Sequence, residues 1–147
     1  MACLLLLSAC SDQITVDSPA LTGSAAADCR ALIEALPRHV DNLPRRVVHP
    51  AGGYAAAWGD PPIVLTCGVP RPKGLDRFAS CIWVNGVGWF IPDSQASGTG
   101  DHVDMTTIGR KEFVTVSVPS RYFPPAATMA DLAAPVKKAI PEVRACQ

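Results

Sequence analysis

The chain has 147 residues, 13 Lys and Arg against 13 Asp and Glu, and a formal net charge of zero. Binding to nucleic acid needs a basic excess that neutralises phosphates, so the balance excludes that class and no nucleic-acid partner is expected. A hydrophobic share of 48% in a chain of this length fits a single core.

In chain order, Met1-Ala2-Cys3-Leu4-Leu5-Leu6-Leu7-Ser8-Ala9-Cys10 comes first. An apolar run, two small residues and a cysteine read as a lipobox. Cleavage before Cys10 would leave that residue to carry acyl chains such as palmitate, anchoring the protein on the extracytoplasmic face of the cell membrane. Residues 1–9 are too short to span a bilayer, which takes about 20 apolar residues. They also lack the Lys or Arg of an export signal. The expectation is therefore a truncated lipoprotein signal, with the true start further upstream. Residues 10–27 are small and polar, with Ser18-Pro19 and Thr22-Gly23-Ser24, and read as a lipidated tether. Residues 28–147 are expected to form one domain.

Cys29, Cys67, Cys81 and Cys146 remain. An even number in an oxidising compartment predicts two disulfides. No Cys-x-x-Cys pair exists to suggest zinc. Four cysteines allow three pairings, and strand facing favours Cys67–Cys81 and Cys29–Cys146.

A first helix is predicted from Cys29 to about Leu36, capped by Asp28. Cys29, Leu32, Ile33, Leu36 and Val40 form its apolar stripe. Weak strand signals lie near Arg46–His49 and Tyr54–Trp58, and a stronger one at Ile63–Cys67, where Ile63, Leu65 and Cys67 share a face. Asn85-Gly86 between Ile82-Trp83-Val84 and Val87-Gly88-Trp89-Phe90 specifies a two-residue type I′ hairpin. Its register opposes Val84 to Val87, Trp83 to Gly88 and Ile82 to Trp89. A second hairpin, turning at Gly109-Arg110, would pair Met105 with Val114 and Val103 with Val116. Asp104, Thr106, Thr115 and Ser117 then share the polar face. A last helix spans Met129–Ile140, with Thr128 and Asp131 as a capping box and Pro135 inside. Helix, strands, helix predicts an α+β fold: a mostly antiparallel sheet with an N-terminal and a C-terminal helix on one face.

Four blocks carry a resemblance. Trp58-Gly59-Asp60-Pro61-Pro62-Ile63-Val64-Leu65, Cys67-Gly68-Val69-Pro70-Arg71-Pro72, Val84–Phe90 and Thr106-Thr107-Ile108-Gly109-Arg110 resemble the actinobacterial exported family called domain of unknown function 3515. The resemblance runs from about Cys29 to Pro141. It implies a cell-envelope protein and brings no catalytic residue.

The chemistry-bearing candidates are few. His102 and Asp104 share one strand face and offer two ligands without a third. Tyr54, Trp58, Trp89 and Tyr122 suggest core more than a groove. Gly-x-Ser-x-Gly, Ser-x-x-Lys and His-Glu-x-x-His are absent, and no cofactor or metal is expected. Asp60, Asp76, Asp93 and Asp104 are available for paired-carboxylate chemistry, which has no sequence motif. The reading is a non-catalytic envelope lipoprotein that binds an envelope protein or a wall glycan. The alternative is an envelope hydrolase or transferase using two carboxylates. Trp58, Asp60, His102, Asp104 and Arg110, on the 58–62 loop and the 101–118 hairpin, are the expected contact surface.

Overall fold

The computed structural model describes residues 13–145. Strands β1 (Ile14–Thr15), β2 (His39–Val40), β3 (Leu43–Arg46), β4 (Val48–His49), β5 (Ala55–Trp58) and β6 (Ile63–Val69) are followed by β7 (Ile82–Val84), β8 (Val87–Phe90), β9 (His102–Ile108) and β10 (Phe113–Pro119). Helix α1 (Gly23–Ala35) precedes β2, and α2 (Ala126–Ala139) closes the order. Eight strands form one sheet in the order β2-β3-β5-β6-β10-β9-β8-β7, antiparallel throughout. β1 and β4 make a separate parallel pair. The fold is α+β, with the N-terminal and C-terminal helices packed on the sheet.

Alternation decides which face the helices cover, because successive strand side chains point to opposite sides. Ile63, Leu65 and Cys67 on β6, Val114, Val116 and Val118 on β10, and Val103 and Met105 on β9 are all buried. Val87 and Trp89 on β8 join them, and so do Cys29, Leu32, Met129, Leu132, Val136 and Ile140 from the two helices. Of the stripe expected for the first helix, Cys29 and Leu32 are buried on α1 and Ile33 packs partly against the core, while Leu36 and Val40 are buried beyond the helix, Val40 on β2.

The helix starts earlier than expected, at Gly23. Ala25, Ala26 and Ala27 are strong helix formers and extend it towards the N-terminus. Asp28 therefore lies inside α1 and pairs with Lys111 Nζ at 2.6 Å, while Thr22 holds the cap position without a side-chain bond. The tether expected over 10–27 is likewise part of the fold from Ile14 onward. Ile14 and Thr15 pair with Val48 and His49, and Ser18 Oγ accepts the Tyr54 N–H at 2.6 Å. Residues 1–12, with the lipobox, and Cys146 lie outside the described residues.

The expected capping box is also corrected. Pro125 occupies the cap position of α2, so Thr128 and Asp131 fall within the helix. Thr128 points into the core, where its hydroxyl has no partner. Asp131 instead accepts the Asp41 N–H at 2.8 Å. Pro135 sits inside α2 as expected.

The Asn85-Gly86 hairpin has the expected register, Ile82 with Trp89, Trp83 with Gly88 and Val84 with Val87. Both turn residues have positive φ, 48° and 86°, as a type I′ turn requires. The second hairpin is offset by two residues: Met105 pairs with Val116, and Val103 with Val118. A shift of two keeps every side chain on its expected face. The turn is wider because it takes up the C-terminal segment. Gly109 O accepts the Val143 and Arg144 N–H groups at 2.8 and 3.1 Å, and Lys111 N–H donates to Pro141 O at 2.9 Å. A Cβ on Gly109 would lie 1.9 Å from Arg144 O, so only glycine fits there.

The expected pairing of Cys67 with Cys81 and of Cys29 with Cys146 is overturned, because Cys29 is bonded to Cys67. β10, β9 and β8 lie between β6 and β7, so Cys67 has no neighbour on β7. Cys67 faces the helices with Ile63 and Leu65, and there it meets α1. Cys81 is also disulfide-bonded.

Candidate functional site

The other face of the sheet is not covered by helices, and the same alternation populates it with short polar side chains. Two rows cross β6, β10 and β9. Thr66 opposes Thr115, which opposes Thr106; Val64 opposes Ser117, which opposes Asp104. Phe90 on β8 extends the first row beside Thr106. Thr106 and Thr115 hydrogen-bond through their hydroxyls at 2.7 Å. Val64, Thr66, Asp104, Thr106, Thr115 and Ser117 form the floor of a cleft of about 480 Å³.

Its walls come from irregular chain. Val69 ends β6, Pro70, Pro72 and Lys73 belong to the excursion between β6 and β7, Pro92 follows β8, and Asp17 comes from the segment after β1. Prolines suit such walls because their φ is fixed. The Asp17 segment is held on both sides. Val16 N–H donates to His49 O at 3.0 Å, and Leu21 packs against Gly68, where a Cβ would approach to 2.4 Å.

Asp104 is the best-positioned charge in the cleft. Its backbone N–H donates to Gln95 Oε1 at 2.7 Å, and Gln95 Nε2 donates to its carboxylate at 3.3 Å. His102 Nε2 lies 3.3 Å from the same oxygen. Gln95 closes the short 3-10 turn Asp93–Gln95, so loop and strand fix each other. The arrangement presents one oriented carboxylate above a hydroxyl floor, suited to holding hydrogen-bonding groups.

A second cavity of about 480 Å³ adjoins the first, and the two share Lys73 and Pro92. Asp76, Phe78, Phe90 and Asp93 contribute to it. A third space of about 320 Å³ lies against the other face of β7, between Ile82, Val84, Phe123 and Met129, and is mostly apolar.

Asp104 therefore lines the cleft with His102 beside it, whereas the other expected contact residues lie elsewhere. Trp58 is fully buried. Its indole N–H donates to Pro37 O at 3.0 Å, and the Arg45 guanidinium stacks 5.8 Å from its ring centre. Its role is to pack the end of α1 onto β5. Arg110 is 7% exposed. It donates to Ile140 O at 3.1 Å and Gly86 O at 2.8 Å and pairs with Glu142 at 3.4 Å, tying α2 to the β7–β8 turn. Both are corrections to an exposed contact surface, since their polar atoms are spent on the backbone. Asp60 is exposed and lines none of the three spaces.

Asp17, Thr66, Lys73 and Gln95 were missed. Thr66 was legible, because it stands between inward-facing Leu65 and Cys67. The other three sit in loops, where no periodicity points. Among the described residues no three His, Cys, Asp or Glu side chains converge as a metal-binding group, and no helix is long and apolar enough to cross a membrane.

Comparison with curated proteins and with solved structures finds no match. Residues 3–145 match the family described as "Protein of unknown function (DUF3515)". The match extends over nearly the whole chain, and the protein belongs to that family.

Proposed function

We propose that this protein is a lipid-anchored module on the outer side of the cell membrane. It holds a wall component or another envelope protein in the cleft on the helix-free face, without turning it over. The observation that carries this reading is the floor of Thr66, Thr106, Thr115 and Ser117 beside the oriented Asp104. Polar groups fixed on strands need little reordering on binding, which favours affinity. The hydroxyls of Thr106 and Thr115 bond to each other, whereas a nucleophile would be paired with a general base. The Cys29–Cys67 disulfide supports an oxidising compartment. Leu7-Ser8-Ala9-Cys10 supports the anchor.

With a complete signal supplied, Cys10→Ala is expected to abolish acyl labelling and release the protein from membranes; persistent labelling removes the anchor from the proposal. The wild type should co-sediment with purified wall or envelope fractions, and Asp104→Ala should lose that binding while keeping its thermal unfolding. A second reading rests on Asp17 and Asp104 lining one cleft, as a hydrolase with two carboxylates would require. Release of reducing ends from wall fragments, bell-shaped in pH and lost in Asp17→Asn or Asp104→Asn, would put that reading in place of the first.

A further inference from the structure

The two adjoining cavities on the helix-free face make an elongated path rather than a single pocket, and its chemistry changes along its length. At one end the floor is hydroxyl and carboxylate, from Thr66, Thr115, Ser117 and Asp104. At the other it is aromatic, with Phe90 in the floor and Phe78 at the rim. Phe78 is 78% exposed. Trp83 opposes Gly88 and so shares the helix-free face with Phe90; it is 55% exposed. The Arg77 guanidinium lies over the Phe78 ring, 4.6 Å from its centre.

The junction is marked by a charge. Lys73 lines both cavities, and among the described residues its ammonium takes part in no hydrogen bond or salt bridge. Asp17 and Asp104 line the first cavity, and Asp76 and Asp93 the second. The two linings thus carry four carboxylates against one ammonium, with the Arg77 guanidinium over Phe78 at the rim. A polyanion would be repelled along most of its length, whereas a neutral or amine-bearing chain would not.

Resting on the binding-module reading, we infer that the occupant is a linear glycan, uncharged or amine-bearing, that spans both cavities. A sugar ring has an apolar C–H face and a hydroxylated edge. The first suits Phe78 and Phe90, which line the second cavity; the second suits the threonine floor and Asp104. Lys73, at the junction, donates to a ring oxygen or an acyl carbonyl only when the chain is long enough to cross it. Length dependence is therefore the signature.

The test uses the intact protein and four probes: the N-acetylated chito-disaccharide and hexasaccharide, the de-N-acetylated hexasaccharide, and poly(glycerol phosphate). Calorimetry reads the binding. The hexasaccharide should bind at least about tenfold more tightly than the disaccharide, equivalent to about 1.4 kcal/mol. Lys73→Ala and Phe78→Ala, both at exposed positions, should each reduce that advantage. The de-N-acetylated chain should bind more tightly than the acetylated one, and Asp76→Asn with Asp93→Asn should erase the gain. Equal affinity for short and long saccharides, or preference for poly(glycerol phosphate), overturns the inference. If no saccharide binds but envelope fractions still capture the wild type and not Asp104→Ala, the glycan inference falls and the binding-module reading survives. If neither binds, both fall.

Discussion

The two faces of the sheet are built from the same strands in alternate residues, yet they have opposite compositions. On β6 and β10 the helix-covered face reads Ile63, Leu65, Cys67, Val114, Val116, Val118, all buried. One residue along each time, the open face reads Val64, Thr66, Thr115, Ser117. The first face is packed by both helices and stapled to α1 by Cys29–Cys67. The second contributes little apolar burial, and its side chains are set by cross-strand hydrogen bonds and loop contacts. Stability and recognition are thus separated within single strands, so substitutions one residue apart should have unlike consequences.

The staple should show the largest effect. Cys29→Ala with Cys67→Ala opens a loop closed across a sequence separation of 38 residues, and should cost about 4 kcal/mol in the chain-entropy account. Urea midpoints of oxidised wild type and variant measure it; an unchanged midpoint would mean that the helix-covered face holds without its covalent bond. Next is the neighbouring pair. Leu65→Ala should cost roughly 2–5 kcal/mol by loss of burial and cavity formation, while Thr66→Ala should stay within about 0.5 kcal/mol yet weaken binding at the cleft. Comparable losses of stability from both would break the division between faces. Arg110→Met should cost roughly 1.5–3 kcal/mol, because the carbonyls of Ile140 and Gly86 lose a charged donor; hydrogen exchange at Val143 and Arg144 should accelerate with it. The smallest effect has the opposite sign. Thr128→Val removes a buried hydroxyl without a partner and should stabilise the fold by about 1 kcal/mol, read as a rise in Tm.

Where a periodic pattern or a named turn carried the information, the fold was legible. The α+β order, the apolar stripe of α1 and the Asn85-Gly86 register follow from spacing and turn chemistry alone. The face shared by Asp104, Thr106, Thr115 and Ser117 was also read correctly, because a two-residue error in register preserves facing. Long-range choices were not legible. The bond from Cys29 to Cys67 depends on α1 crossing β6, and the wide turn after β9 depends on the C-terminal segment arriving there; neither leaves a local mark. Trp58 and Arg110 misled for one reason: side chains that look like recognition elements in a list of residues are here hydrogen-bonded to backbone carbonyls. The cleft's floor could be read from alternation, whereas its walls, Asp17, Pro70, Lys73 and Pro92, lie on loops with no pattern to read.

Strand β1 has a consequence for reach. Its pairing with β4 anchors the chain at Ile14, and only four peptide steps separate Ile14 from Cys10. Fully extended, they span about 14 Å. With lipid on Cys10 the domain would have a short leash, and Asp17, three residues past the anchorage, would carry the cleft with it. The module would then sweep only the layer next to the bilayer, meeting ligands as they emerge at the membrane surface rather than those further out in the wall.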